Sequence, residues 1–523
     1  MSSQTSLKIL PASYYDHFLS INTKNAKERE PSPVRGDCPL GETLGGTISA
    51  AGKFHPETLP INYLNLTAQN PKFTAKDPLP NDISLKINID ALVTGLHNRE
   101  IGDISDLARW LGKLQHIMHG RSAGEGWRIS MGSGSRELIY RTIQAMVKHR
   151  DPIFVESLVY ADIIPMFETI CNPIGVETDA FGICAESLRK TLESWPPGKP
   201  KPRFLYTVPY GCNPTGITAT TERRKEVLKL AREHDFIILE DDPYYYLYYG
   251  PADRPPSYFA LEATERTENG QCEVGRVVRF DSLTMVLSAG MSIGWASGPE
   301  GLLARIERHP VILSRISLLL KLYAGYSLAI FGRIRRSAIL HCHSTLTYSA
   351  MITADRLDQG FMVEGSGPDS NSDPSLLLIV HPSLFLTTSS RLQSSSLSHV
   401  IINALLTEWG YDGFNGKTRS VSSFYRQKRD IFEAAMKSHL EGLTEWQLPE
   451  AGVFFWFKLL VPDSANIDVE ALRDVVRMLP GAVFWQNGNS GYVRVSFSQP
   501  TEDDVHKELN RLGRFLREEI WSA

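Results

Sequence analysis

Between Trp127 and Phe280 the chain alternates short apolar runs with amphipathic ones, and that alternation limits the fold more than any other feature. Trp127–Met131, Pro152–Glu156, Arg203–Val208, Phe236–Leu239 and Arg276–Phe280 read as strands. Glu137–Val147 and Thr221–His234 read as helices, the second opened by threonine caps. Ile104–His119 precedes them as a helix whose Leu107, Leu111, Leu114 and Ile117 are expected on one face. Strands separated by helices point to an α/β protein with a mostly parallel sheet, because parallel neighbours need a crossover too long for a tight turn. The final third changes character. Val421–Leu440 and Glu502–Trp521 are amphipathic helices, while Gly452–Leu459 and Tyr492–Phe497 are strand-like, which suits a smaller α+β lobe.

A chain of 523 residues exceeds a single core, so more than one lobe is expected. Its net charge of −4 offers no basic face, which argues against nucleic acid as a partner. Cys38, Cys171, Cys184, Cys212, Cys272 and Cys342 show neither paired nor metal-type spacing. They are expected as free thiols in a reducing compartment, with the cytoplasm as the default. Met1–Arg35 is polar and mixed in charge, unlike a signal peptide. Ile316–Phe331 is apolar but short for a membrane span, holds Lys321 and runs into Arg333, Arg335 and Arg336, so no membrane segment is expected. The surrounding Val311–Ser395 keeps no helix or strand period and becomes Ser/Pro-rich. It is either an inserted surface module or read-through of a non-coding stretch, since structureless segments of that length are rare inside compact domains.

Several loops at the ends of these elements carry polar groups. Asn213-Pro214-Thr215-Gly216 is, by composition alone, a turn. Glu240-Asp241-Asp242-Pro243-Tyr244 closes an apolar strand, and open α/β sheets bind ligands at strand carboxyl ends. A carboxylate there either pairs with a protonated heterocycle nitrogen or caps the next turn. Asp281-Ser282-Leu283-Thr284-Met285, followed by Ser288–Gly294, sets two hydroxyls beside a glycine-containing turn suited to phosphate. Gly132–Ser135, at a helix start, adds backbone donors.

In this order and spacing the motifs resemble the class I, fold-type I aminotransferases that use pyridoxal 5'-phosphate. The family's pattern runs NPTG, EDDPY, DS-x-[ST]-K-x-x-x-x-G-x-R-x-G, then a late arginine strand. Phe204–Gly216, Asn403–Phe414, Ala451–Phe457, Leu479–Phe484 and Tyr492–Ser498 are similar to the kynurenine/2-aminoadipate and fungal aromatic subgroup. The resemblance implies a large cofactor domain over 95–310 and a small domain combining 40–94 with 396–523. Residues 1–39 would form an N-terminal arm and 311–395 an atypical insertion. It also implies a homodimer that transfers an amino group between an L-amino acid, aromatic or 2-aminoadipate in type, and a 2-oxo acid in biosynthesis. Asp241 would hold the pyridinium nitrogen, and Asn213 and Tyr244 the ring's 3-oxygen. Tyr160 would stack on the ring. Ser135, Arg136, Ser282 and Thr284 would lie beside the phosphate, and Arg494 would clamp the substrate carboxylate.

The pattern breaks at the chemistry. The family's Schiff-base lysine falls on Met285, its phosphate arginine on Ser292, and a tyrosine that reaches the partner's phosphate on Thr94. No lysine lies between Lys229 and Lys321 to substitute. A thioether has neither a nucleophilic nitrogen nor a proton to move, and losing a positioned acid/base costs on the order of 10²–10⁴ in rate. Losing an arginine–phosphate contact costs roughly tenfold to a hundredfold in affinity. Two expectations follow: an aminotransferase whose ancestral activity is impaired, or a pseudoenzyme retained for binding or dimerisation, with cofactor held weakly or not at all.

Overall fold

The computed structural model describes residues 7–19, 63–67, 82–87, 105–160, 163–287, 293–307, 396–460, 478–484, 491–498 and 500–522. The chain divides into two compact units, Met1–Ile306 with Ser394–Ala523, and Glu307–Gln393. The Val311–Ser395 segment, including its apolar run, lies outside the described residues.

The first unit is built on a seven-stranded sheet. Its neighbours in order are β4 (Trp127–Gly132), β13 (Gly294–Pro299), β12 (Val277–Ser282), β10 (Ile237–Asp241), β9 (Phe204–Thr207), β5 (Pro152–Glu156) and β6 (Asn172–Val176). From β12 to β6 every pairing is parallel, and β13 runs antiparallel to both β12 and β4. The expected mostly parallel α/β sheet is therefore present. Its central strands begin as apolar runs because both faces are covered, and their polar residues gather toward the carboxyl ends. Ile237, Leu239, Val278 and Phe280 enter one core with Leu138, Ile139 and Ile143 of helix α2 (Ser135–Met146). Ile238 and Val277 face the opposite core, with Val227, Leu228 and Ala231 of helix α5 (Thr221–His234). Each such side chain contributes about 1.5–3 kcal/mol when fully buried. Thr220 caps α5 by accepting from Arg223 N, and Asp235 ends it in the left-handed region at φ 58°.

The sequence reading missed β6 and β13 because Pro173, Gly294 and Gly298 disguise them. β6 lies at the sheet edge, where a proline without an N–H is tolerated. Helix α1 (Ser105–His119) buries Leu107, Leu111 and Leu114 as expected, but Ile117 is 43% exposed. At about 100° per residue it has rotated off the stripe set by Leu107.

A second sheet is wholly antiparallel: β14 (Thr444–Trp446), β15 (Phe454–Leu459), β17 (Tyr492–Ser496) and β16 (Met478–Pro480). Helix α7 (Ser396–Leu440), broken at Gly410 with φ 62°, and helix α8 (Glu502–Ser522) pack against it. Val505, Leu509, Leu512 and Leu516 keep the helical spacing that the sequence showed. Short pairs complete the fold: β1 (Leu7–Ile9) runs parallel to β11 (Cys272–Val274). Antiparallel pairs join β2 (Tyr63–Thr67) to β3 (Asp82–Lys86) and β7 (Thr178–Asp179) to β8 (Gly182–Ile183).

Candidate functional site

Strands β4, β5, β9, β10 and β12 all point the same way, so their carboxyl ends share one edge of the sheet with the start of the reversed β13. Gly132–Arg136, Tyr160, Asn213, Asp241–Tyr244 and Ser282–Met285 emerge there. Arg494 comes from β17, and its Nη1 donates to Asn213 Oδ1 at 2.8 Å. The same guanidinium lies 4.2 Å from the Phe454 ring centre and 5.0 Å from that of Phe484. The structure thus brings together every sequence-predicted site residue it describes. Ser292 and Thr94 lie outside the described residues.

Asp241 forms the floor. Its Oδ2 accepts from Tyr206 Oη at 2.7 Å. Its Oδ1 is buried and has no hydrogen-bond partner among the described residues. Burial raises the carboxyl from its ordinary value to about 6; Tyr206 and Ser135 pull it down, Asp281 pushes it up, and Arg136 lowers it. A buried carboxylate with one open oxygen is complementary to a cationic N–H, because leaving it unpaired is costly. Burial also raises the Tyr244 phenol; Arg494 opposes this, and Asp241, Tyr160 and Cys212 add to it.

At the helix end of the site, Gly134 caps α2 with no side-chain hydrogen bond, so the first-turn N–H groups face outward. Ser133 Oγ is buried without a partner among the described residues. Ser282 Oγ lies 3.0 Å from Thr284 Oγ1 and accepts from Thr284 N at 3.2 Å. A Cβ on Gly294 would meet Gly134 C at 2.6 Å, Ser135 N at 2.7 Å and Asp281 O at 2.8 Å, so only glycine lets these backbones close up. Arg136 lies 5.0 Å from the Tyr160 ring centre. Hydroxyls, helix N–H groups and a guanidinium make a donor set that fits a phosphate monoester. With Asp241 beyond it, the set fits a phosphorylated, protonated pyridine. Met285 does not fit a covalent anchor. It is half-buried and packs on the apolar cluster that holds Tyr244, Val453 and Phe455.

Sequence reasoning missed what lies beneath. Arg279 donates to Asp281 through Nε (3.0 Å) and Nη2 (2.7 Å), pairs with Asp242, and lies 3.5 Å from Glu240. None of these four side chains has any exposed surface. Glu240 in turn accepts from Tyr258 N and Phe259 N. The acid pair at the end of β10 therefore splits its roles, with Asp241 at the site and Asp242 in the network. Within an apolar strand neither Arg279 nor Tyr206 signalled this. The only earlier hint was three acids clustered within two motifs. Among the described residues no group of His, Cys, Asp and Glu is arranged to hold a metal, and no helix is long and apolar enough to cross a membrane. Cys171, Cys184, Cys212 and Cys272 are free thiols.

Comparison with known proteins bears on the fold and the family. A family profile described as aminotransferase class I and II matches residues 64–283. The chain is 31% identical over 492 residues to an aminotransferase of Emericella nidulans named tdiD, covering 92% of each. It is 28% identical over 519 residues to the mitochondrial kynurenine/alpha-aminoadipate aminotransferase of Bos taurus, covering 95% of this chain and 98% of that one. The crystal structure of aminotransferase Aro8 from Candida albicans superposes with a TM-score of 0.67 at 20% identity, covering 99% of this chain and 100% of that chain.

Proposed function

The chain belongs to the class I and II aminotransferase family, and on that premise we propose that it binds a phosphorylated pyridine cofactor without a covalent link. One observation carries the reading: the ring-nitrogen partner Asp241 is buried with Oδ1 open, while Met285 stands where the covalent link would form. Pyridoxal 5'-phosphate, the family's cofactor, supplies an electron sink when bound. Asp241 would hold its ring nitrogen, Asn213 and Tyr244 its 3-oxygen, and Tyr160 its face. Ser135, Arg136, Ser282 and Thr284 would receive the phosphate. Arg494, already oriented by Asn213, would take the carboxylate of an L-amino acid or 2-oxo acid through a bidentate pair. Phe454 and Phe484 beside it favour an aromatic substrate, and the name of one relative adds the 2-aminoadipate type.

Proton transfer at the substrate carbon has no base at position 285, so the chain binds these ligands and turns them over poorly. Two copies assembled as a homodimer are part of the proposal, as is a reducing compartment for the free thiols. The test is to mix purified protein with pyridoxal 5'-phosphate, treat with borohydride and map any modified lysine. The expected result is equilibrium binding with no lysine adduct. A reducible adduct on any lysine of this chain would overturn the reading.

A further inference from the structure

We infer that Glu156 is a positioning residue, whose carboxylate ties the turn carrying Asn213 to the loop carrying Tyr160 so that the two ring-holding groups keep one geometry. The inference rests on the cofactor reading above. Glu156 ends β5 and is 5% exposed. Its Oε1 accepts from Thr207 Oγ1 and from Val208 N (3.0 Å), and its Oε2 accepts from Cys212 Sγ at 3.0 Å. Cys212 Sγ also lies 3.5 Å from Leu158 O, two residues before Tyr160. The backbone of Cys212 closes the Asn213 turn, with its N donating to Ile217 O (2.9 Å) and its O accepting from Gly216 N (2.6 Å). Asn213 then receives Arg494. One carboxylate thus lies two residues before Leu158, in the loop that places Tyr160, and one thiol from the turn that places Asn213.

Packing alone does not account for a charge here. A well-packed apolar residue of similar volume stabilises a core as well as a buried ion does, or better. Burial raises the Glu156 carboxyl, and the hydrogen bonds of Cys212, Thr207 and Val208, with the more distant charge of Arg224, pull it back. All three donors belong to one stretch, Thr207–Cys212, so what the acid secures is the path of that loop out of β9.

The probe is pyridoxamine 5'-phosphate, which needs no lysine to bind. Its dissociation constant and the pH at which its bound 3-oxygen ionises, read by absorbance, are measured for the full chain and for Glu156→Gln, Cys212→Ala and Asp241→Asn, beside thermal melting. A glutamine keeps the shape but offers an N–H₂ to one set of donors and so loses a link. The expected result for Glu156→Gln is about a tenfold weaker dissociation constant, the scale of one lost hydrogen bond. The 3-oxygen ionisation shifts upward as Asn213 loosens. Cys212→Ala, which leaves the Thr207 and Val208 links in place, shifts the same two readouts by less. Unchanged binding and ionisation in both variants, while Asp241→Asn binds weakly, would overturn the role of Glu156 and leave the cofactor site standing. A melting loss with the ionisation unmoved would overturn it too, by making Glu156 merely structural. If Glu156→Gln does not fold, Cys212→Ala decides: a shift supports the role and no shift ends it. Wild-type protein that does not bind the probe, or that Asp241→Asn matches, would sink the cofactor reading and Glu156 with it.

Discussion

Asp241 closes β10 and Met285 follows its neighbour β12 by three residues, yet the structure holds them by opposite means. Beneath Asp241 lie buried charges that depend on one another: Arg279 answers Asp242, Asp281 and Glu240 with a single guanidinium. Removing Arg279 leaves three buried acids without their shared cation. Met285 rests on an apolar cluster, where a thioether gains burial that an ammonium would not. The floor of the site is therefore bound up with folding, and the anchor position is not. A substitution at 285 takes away chemistry at no expense to the fold, whereas a substitution under Asp241 threatens both.

Restoring the anchor is the largest test of that contrast. Met285→Lys with Ser292→Arg is expected to produce a borohydride-reducible adduct at position 285 and to raise amino transfer by at least on the order of 10²–10⁴, read by mass and by single-turnover absorbance. A double variant that binds no cofactor would place the fault in the fold. Next in size, Arg279→Met strands three buried acids and should destabilise the chain by about 3–5 kcal/mol in urea unfolding, where an equal loss at position 285 would erase the contrast. Asp241→Asn should weaken pyridoxamine 5'-phosphate binding by roughly tenfold to a hundredfold, as expected for a charged hydrogen bond.

The pH dependence of binding gives the same residue a second signature. Folding raises the Asp241 carboxyl from 3.8 to about 6, so its ionisation costs stability; that cost is absent below 3.8, accrues between the two values and is constant above them. Ligand pairing needs the carboxylate, so affinity should fall as pH drops below about 6, and Asp241→Asn should flatten that step. Smallest is Gly294→Ala, whose new methyl group meets three backbone atoms and should cost about 1–3 kcal/mol in melting while weakening phosphate binding.

Most of the parallel sheet was legible because its strands are buried on both faces and carry no breaks. Pro152–Glu156 matches β5 end to end, Phe204–Thr207 falls within a residue of the expected limits, and Val277–Ser282 runs two residues past the expected end at Phe280. β13 was not legible, because Gly294 and Gly298 serve close backbone approach and erase the pattern. In the site, Asn213, Asp241 and Tyr244 stood out because their motifs combine turn residues with unusual polarity at strand ends. Tyr206, Glu156 and Arg279 did not. Each sits inside or at the end of a strand, where its burial shows only once the strands are paired.

The parallel pairing of β1 with β11 joins Lys8 to Glu273 across 265 positions. On a ribosome adding roughly 5–20 residues per second, Leu7–Ile9 must wait about ten to fifty seconds for its partner to emerge. Until then Leu7–Ile9 is an open edge, a strand that needs shelter during synthesis until Cys272–Val274 reaches it.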